Sequence, residues 1–339
     1  MGVNVNNKLV SLVFLRAIAV LCVCCCHFAK PLTEGFIYSP IFSFINNYGR
    51  YGVEIFFVIS GFVIPLSLEN GKYQLSDYLR FIYKRLIRLH PAFLAAIALT
   101  LIITYFSSKF KHLPFPETFE SVAGSIVVFQ NLGLNVVFWT LRIEAEFYIF
   151  IGLFFILLKH YPSIALYFVI PILLIASQFD YFNAIGLLKH LAYFLMGTIG
   201  FLIYTKKGQV WQHYLLLLAV IIFSFLFTNI PNMVDGVPPS IAGASTILFI
   251  LFYKGKTPQS INFIGKISYS LYLVHYPISK MMIRFLMKLL PAPIAWILFL
   301  ISFVVVIPFS YLFYKYIESP SENYSKKINY LHSKRSVLK

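Results

Sequence analysis

The sequence predicts an all-α, polytopic integral membrane protein of about ten transmembrane helices, with both termini cytoplasmic. Three observations predict it. Of 339 residues, 59% are hydrophobic, 18% aromatic and only 12% charged, a balance outside that of soluble domains. Apolar runs near bilayer length recur from one end of the chain to the other. The formal charge of +16 is gathered in short connections and in the tail, the pattern of an orientation signal rather than of a nucleic-acid footprint.

The first run, Leu9 to Phe28, lacks a small-residue cleavage site and is interrupted by Arg16, so it reads as a span and not as a signal peptide. The spans expected in order are 9–29, 49–68, 91–107, 138–158, 162–179, 186–204, 211–228, 239–253, 267–288 and 294–316. The connection between the second and third holds Lys72, Arg80, Lys84, Arg85 and Arg88. Later connections on that side hold Lys159, Lys206, Lys207, Lys254, Lys256 and Lys266, and the tail adds Lys315, Lys326, Lys327, Lys334, Arg335 and Lys339. The opposite side has fewer: Lys30, Lys109, Lys111, Lys189 and Lys288, with Asp180 and Asp235 among them. That excess places both termini in the cytoplasm. No linker or long polar insert divides the chain, so one domain is expected over 1–339, with a core over 9–320 and a basic tail over 321–339. The four cysteines fall between Cys22 and Cys26. Neighbours on one helix make no disulfide framework, and a metal site is not expected from Cys26 and His27 alone.

Charges inside the apolar runs carry the chemistry. A cation in lipid costs roughly 2.5 kcal/mol or more, so Arg16 turns toward a partner or a wet cavity. Eleven positions separate it from His27, about 20° past three full turns, so both lie on one helix face, ~16 Å apart along the axis. Glu54 falls about one turn into the second span, Glu144 and Glu146 early in the fourth, and His275 near the middle of the ninth. Arg142 and Glu146 stand at i and i+4 and can neutralise each other; Glu144 then needs another partner. Residues 75–91 read as an amphipathic surface helix capped by Asp77, with Pro91 opening the next span. Its Arg80, Lys84, Arg85 and Arg88 suit lipid headgroups; Arg85 and Arg88, three apart, also suit the phosphates of a nucleotide-like ligand. Ser268, Tyr269, Tyr272 and His275 cluster on the ninth span, where such groups also serve simply to join helices.

Together these stretches resemble membrane acyltransferase family 3, the group of bacterial O-antigen and Nod-factor O-acetylases. LRAIAVLCVCCCHF carries Arg16 and His27 in the family's register, with Ala17 at a usual glycine. GVEIFFVISGF, from Gly52 to Phe62, has Glu54 for the usual aspartate. Arg85, Arg88 and Pro91 match R-x-x-R-h-x-P, where h is apolar. Trp139, Leu141, Glu144, Phe147 and Tyr148 match the fourth-span signature, with Thr140 for serine. Gly265, Ile267 to Leu273, His275 and Pro277 match the late motif, and Glu318, Ser319 and Pro320 the closing E-x-P.

The resemblance implies a multi-pass protein of the bacterial inner membrane, without the periplasmic hydrolase-like domain fused to some relatives. It implies an O-acyltransferase that takes acetyl from cytoplasmic acetyl-CoA and needs no metal. The acceptor implied is a sugar hydroxyl of a surface polysaccharide or its lipid-linked precursor. Coenzyme phosphates would lie near Arg85, Arg88 and Arg16. His27 would serve as general base, with Glu144 orienting it; an acyl-His27 intermediate stays open. Glu54, Trp139, Tyr148, Ser268, Tyr269 and His275 are the expected substrate-side residues, with Tyr148, Ser268 or Tyr269 as oxyanion donor. Membrane lipids and the glycan are the partners; nucleic acid is not. A transporter or flippase without covalent chemistry is the rival, since intramembrane charges suit it too. A non-catalytic assembly factor is the third reading, and it predicts that Arg16 and His27 tolerate substitution.

Overall fold

A computed structural model describes residues 5–128, 135–179, 181, 185–227 and 236–331. Asp180, Asp235, Lys334, Arg335 and Lys339 lie outside the described residues. Every element among the described residues is helical. α1 (Val5–Ala29) is followed by a short amphipathic α2 (Ser39–Gly49) and by α3 (Gly52–Asn70). α4 (Tyr78–Phe110), α5 (Phe119–Val128) and α6 (Trp139–His160) come next. α7 (Pro162–Ile164) and α8 (Ile170–Ala176) are joined by a π-turn, Ala165–Val169. α9 (Gly186–Thr205), α10 (Val210–Phe227), α11 (Val237–Phe252), α12 (Gln259–Lys266) and α13 (Ser268–Leu286) follow. α14 (Ile297–Phe313) passes through a second π-turn, Tyr314–Glu318, into α15 (Ser319–Lys326).

Each expected span coincides with helical structure, and among the described residues six stretches are long and apolar enough to cross a bilayer. They are Val10–Leu32, Ser39–Asn70, Leu75–Phe110, Gly186–Thr205, Val210–Phe227 and Ile297–Lys326. The others fall short for physical reasons: α6 carries Arg142, Glu144 and Glu146, α13 is rich in hydroxyl and basic groups, and α11 and the α7–α8 rod are short.

The helices meet where side chains vanish. A Cβ on Gly61 of α3 would strike the Phe194 carbonyl of α9, and one on Gly197 would strike that of Val58. Two backbones thus touch at this crossing, the contact that small residues permit in lipid. α1 is approached in the same way: Gly52 seats on the Ala19 carbonyl and Gly265 of α12 on that of Val13. The α1 face that receives them is buried, with Ala17, Ala19, Val20, Cys24 and Phe28 fully enclosed. All four cysteines are free; Cys22 and Cys26 pack on α2 at Gly49.

Pro91 does not open a span. The amphipathic stretch and the apolar one are a single helix, α4, with Pro91 inside it. A proline removes one helix hydrogen bond and crowds the preceding turn. Here neighbouring side chains serve that turn: Ser321 donates its hydroxyl to the Arg88 carbonyl at 3.2 Å, and Tyr269 donates to that of Leu89 at 3.0 Å. The basic face is also divided. Arg80 donates to the Asn329 carbonyl and Lys84 to that of Ile328, both at 3.0 Å, so these two hold the C-terminal segment against α4.

Candidate active site

Six helices, α1, α3, α4, α6, α12 and α13, and the α14–α15 junction converge on a cavity of about 540 Å³, a size suited to a small-molecule ligand. Its charges come from named turns. α1 supplies Arg16, α4 supplies Arg85 and Arg88, and α6 supplies Glu144. Lys266 ends α12, while Glu318, Glu322 and Lys326 come from the returning C-terminal helix. Five cations thus face three carboxylates, so the cavity is positive overall.

These charges are housed with care. Arg16 is buried within electrostatic reach of Arg88, Glu144, Tyr148 and Arg85. Arg85 lies over two rings, 5.6 Å from the centroid of Phe81 and 5.5 Å from that of Tyr148. Glu144 accepts hydrogen bonds from the Tyr148 hydroxyl and, at 3.4 Å, from Ser60. Glu318 accepts from the backbone N–H of Ser270 at 3.0 Å and from its hydroxyl. Glu322 pairs with Lys326 at 2.9 Å. Arg142 and Glu146 form the expected i,i+4 pair at 3.0 Å, on a more exposed side. Glu146 also accepts from the Leu187 N–H at 2.7 Å, which caps the start of α9 and gives it a structural task.

The structure therefore brings Arg16, Arg85, Arg88, Glu144, Tyr148, Ser268 and Tyr269 onto one wall. It leaves His27, Glu54, Trp139 and His275 off that wall. Trp139 sits at the start of α6, partly exposed, with its ring 5.5 Å from His190. Glu54 is fully buried, and neither carboxylate oxygen has a hydrogen-bond partner. His27 packs its ring 5.2 Å from His275 and 4.8 Å from Tyr276. His275 is pinned through Nδ1 to the carbonyls of Tyr272, at 2.8 Å, and Leu271, at 3.1 Å. Its Nε2 and the Nδ1 of His27 are buried without partners.

Tyr272 stands between the cavity and the two imidazoles. It lines the cavity, donates to the Val137 carbonyl at 3.0 Å, and lies 2.6 Å from the Thr140 hydroxyl. Its ring is 5.9 Å from His275. Glu144, expected to orient His27, instead bonds to Tyr148 and Ser60, and no hydrogen bond joins it to His27 among the described residues. The reason is plain: equal azimuth on α1 fixes a face, but α4 and α6 cover that face at Arg16, while α13 covers it at His27. Of the three expected oxyanion donors, Tyr148 and Tyr269 already direct their hydroxyls to Glu144 and to the Leu89 carbonyl.

Sequence reasoning named Tyr272, Lys266 and Glu318 without giving them a place in the site, and did not single out Ser60. Glu318 had a signal, the E-x-P it opens, which in the structure is a π-turn running into α15 with Pro320 in its first turn. Among the described residues, no group of three or more His, Cys, Asp or Glu side chains converges as metal ligands would.

A family model described as "Acyltransferase domain" matches residues 9–315. The chain belongs to this acyltransferase family. The acyltransferase is also 26% identical over 255 residues to the protein named "Putative acetyltransferase ORF330" of Acidianus two-tailed virus, covering 67% of this chain and 72% of that one. No solved structure matches it. It is an enzyme, an acyltransferase of the multi-pass membrane type.

Proposed function

We propose that this enzyme moves an acetyl group from acetyl-CoA to a sugar hydroxyl of a surface polysaccharide or its lipid-linked precursor, across a bacterial inner membrane. The observation that carries the reading is the positive cavity built on Arg16, Arg85 and Arg88, with Arg16 on the same helix that holds His27 ~16 Å further along. Arginine forks suit phosphate oxygens, so the coenzyme's phosphates sit at Arg85 and Arg88 and its extended arm points along α1. The donor end faces the cytoplasm, as the charge distribution of the connections favours.

His27 is the base. It takes the proton of the acceptor hydroxyl as the oxygen attacks the thioester carbonyl carbon; the C–S bond breaks, and the coenzyme leaves as a thiolate that recovers a proton. Transfer through an acyl-His27 is the alternative order of the same bonds. Either order requires the acyl end to pass Tyr272, so this side chain turns aside when donor is bound. Glu144 acts at the donor end, holding Arg16 and Tyr148, rather than at the imidazole. His275, fixed by two carbonyls, keeps the neighbouring ring in place.

The test uses purified protein, radiolabelled acetyl-CoA and candidate glycans, followed by mass spectrometry of the product. Label in the glycan, lost in a well-folded His27→Ala variant, is the expected result. Transfer that survives that substitution, or a wild type that transfers nothing to any glycan, overturns the reading.

A further inference from the structure

The helix end that carries His27 holds a second cationic cluster that the donor cavity does not use. Lys280 Nζ lies 4.8 Å from the centroid of Tyr276, a ring that also neighbours His27 at 4.8 Å and His275 at 6.5 Å. Lys30 follows His27 by three residues at the end of α1. Phe110 and Phe285 meet at 6.1 Å, which brings their chain neighbours Lys111 and Arg284 to the junction of α4 and α13. Arg50, just after α2, is an electrostatic neighbour of Cys26 and of His27. The charges that Lys280 feels most are Arg284, Lys30 and Lys111, cations all.

This cluster is far from the first. Lys111, at the C-cap of α4, is 26 residues beyond Arg85, about 39 Å along the helix, and Arg284 is 16 residues beyond Ser268 on α13. The donor cavity balances its cations with Glu144, Glu318 and Glu322. Lys30, Lys111, Lys280 and Arg284 take part in none of the ion pairs among the described residues, Arg142–Glu146, Lys207–Glu69 and Lys326–Glu322. Orientation cannot account for them, because a chain is oriented by charging one end, and cations at both ends weaken that signal. Glu54 lies within electrostatic reach of Arg50, but the charges that Lys280 feels most include no carboxylate, and gathered cations repel one another unless an anion joins them. Lys30 and Lys280 lie within electrostatic reach of His27, the base proposed above, whose Nδ1 is buried without a partner.

We infer that the acceptor is an anionic glycan, and that Lys30, Lys111, Lys280 and Arg284 hold a carboxylate or phosphate of the sugar whose hydroxyl His27 deprotonates. The inference rests on the proposed transfer for its naming of an acceptor, but the binding it describes is measured separately. The anion comes from a uronic acid in the glycan or from the phosphate of a lipid-linked sugar; both are the same chemistry at this cluster.

The experiment measures equilibrium binding to the full-length protein in nanodiscs of zwitterionic lipid. Three probes are used: a neutral hexose trimer, the uronic acid trimer of the same linkage, and a prenyl diphosphate sugar. The wild type is expected to prefer at least one anionic probe over the neutral one by about tenfold, the scale of one charge-assisted hydrogen bond. Preference for the uronate identifies the carboxylate source, and preference for the diphosphate identifies the lipid-linked one. Lys280→Gln, and the exposed pair Lys30→Gln with Lys111→Gln, should erase the preference, while Lys280→Arg keeps it. Equal binding of all three probes, or a preference that survives both neutral variants, overturns the inference. So does a preference that vanishes once anionic lipid is added, since the cluster then belongs to headgroups. Intact preference in a wild type that transfers no label counts against the proposed reaction and leaves this inference standing.

Discussion

The two ends of α1 house their polar groups in opposite ways. At Arg16 the surroundings are roomy and charged, and nearly every ionic group has a named partner: Glu144 with Tyr148 and Ser60, Glu318 with Ser270, Arg85 over two rings. At His27 the packing is close and aromatic, two imidazole nitrogens stand without hydrogen bonds, and the nearby charges are of one sign. Groups that are satisfied at rest suit recognition, because they lose little when a ligand arrives. Groups that are buried and unsatisfied carry a standing cost of roughly 1–3 kcal/mol each and persist where something later uses them. The difference fits the proposed division, with binding at the Arg16 end and bond-making at the His27 end.

That division is broken or upheld most sharply at the imidazole. His27→Ala should lower kcat by about 10²–10⁴, the range for loss of a general base, with little change in acetyl-CoA binding. Single-turnover transfer of labelled acetyl, beside a direct measurement of coenzyme binding, checks both halves. A variant that stops binding the coenzyme places His27 at the donor end instead.

The reverse pattern is expected of Arg88→Ala. It removes a charge from the donor wall and should raise the acetyl-CoA KM by about 10- to 100-fold, with a much smaller change in kcat. Arg85→Ala should act in the same direction, and more weakly where its two aromatic partners carry part of its packing. Steady-state kinetics against donor concentration is the measurement. A fall in kcat with KM unchanged would move these arginines to the reacting atoms.

How much of this was legible in the chain depends on what kind of fact it was. Arg16, Arg85, Arg88 and Glu144 stand out because charge in or beside an apolar run is expensive, and all four do share a wall. The pairing of Arg142 with Glu146 followed from spacing alone. Spacing could not say which helix covers each level of α1, so Glu144 was expected at His27 and lies at Arg16. α2 escaped notice since eleven residues are too few for a span, though it packs along α1. Glu318 escaped because its partner, Ser270, is 48 residues away and the turn that aims it is a π-turn. Tyr272 read as helix packing; only its neighbours show that it closes the cavity toward His275.

Tyr272 sharpens the comparison, since it is the boundary between the two ends. Tyr272→Phe keeps the ring and removes the hydroxyl that ties it to Val137 and Thr140. The Val137 carbonyl retains the Thr140 hydroxyl as donor at 3.1 Å, so the fold should tolerate the change. A ring freed of about 1 kcal/mol of tethering should turn aside more readily, raising kcat by about fivefold if passage limits the rate. A drop in kcat would instead make the hydroxyl part of the transfer chemistry.

The smallest effect is expected just outside the donor wall, on the same face of α4. Arg80 and Lys84 spend their donors on the carbonyls of Asn329 and Ile328, and Asp77 accepts from the Leu331 N–H at 2.8 Å. Tyr330 is buried beneath them, 5.6 Å from Tyr73. These two cations therefore fasten the segment that carries Glu318 and Lys326 into the cavity, and do not face it themselves. Arg80→Ala or Lys84→Ala should loosen that fastening by about 1 kcal/mol, seen as faster hydrogen exchange over residues 328–331. The acetyl-CoA KM should move by no more than about twofold, because the remaining contacts still hold the segment in place. A tenfold rise, matching Arg88→Ala, would mean that Arg80, Lys84, Arg85 and Arg88 all grip the coenzyme and that the partition drawn along this helix is wrong.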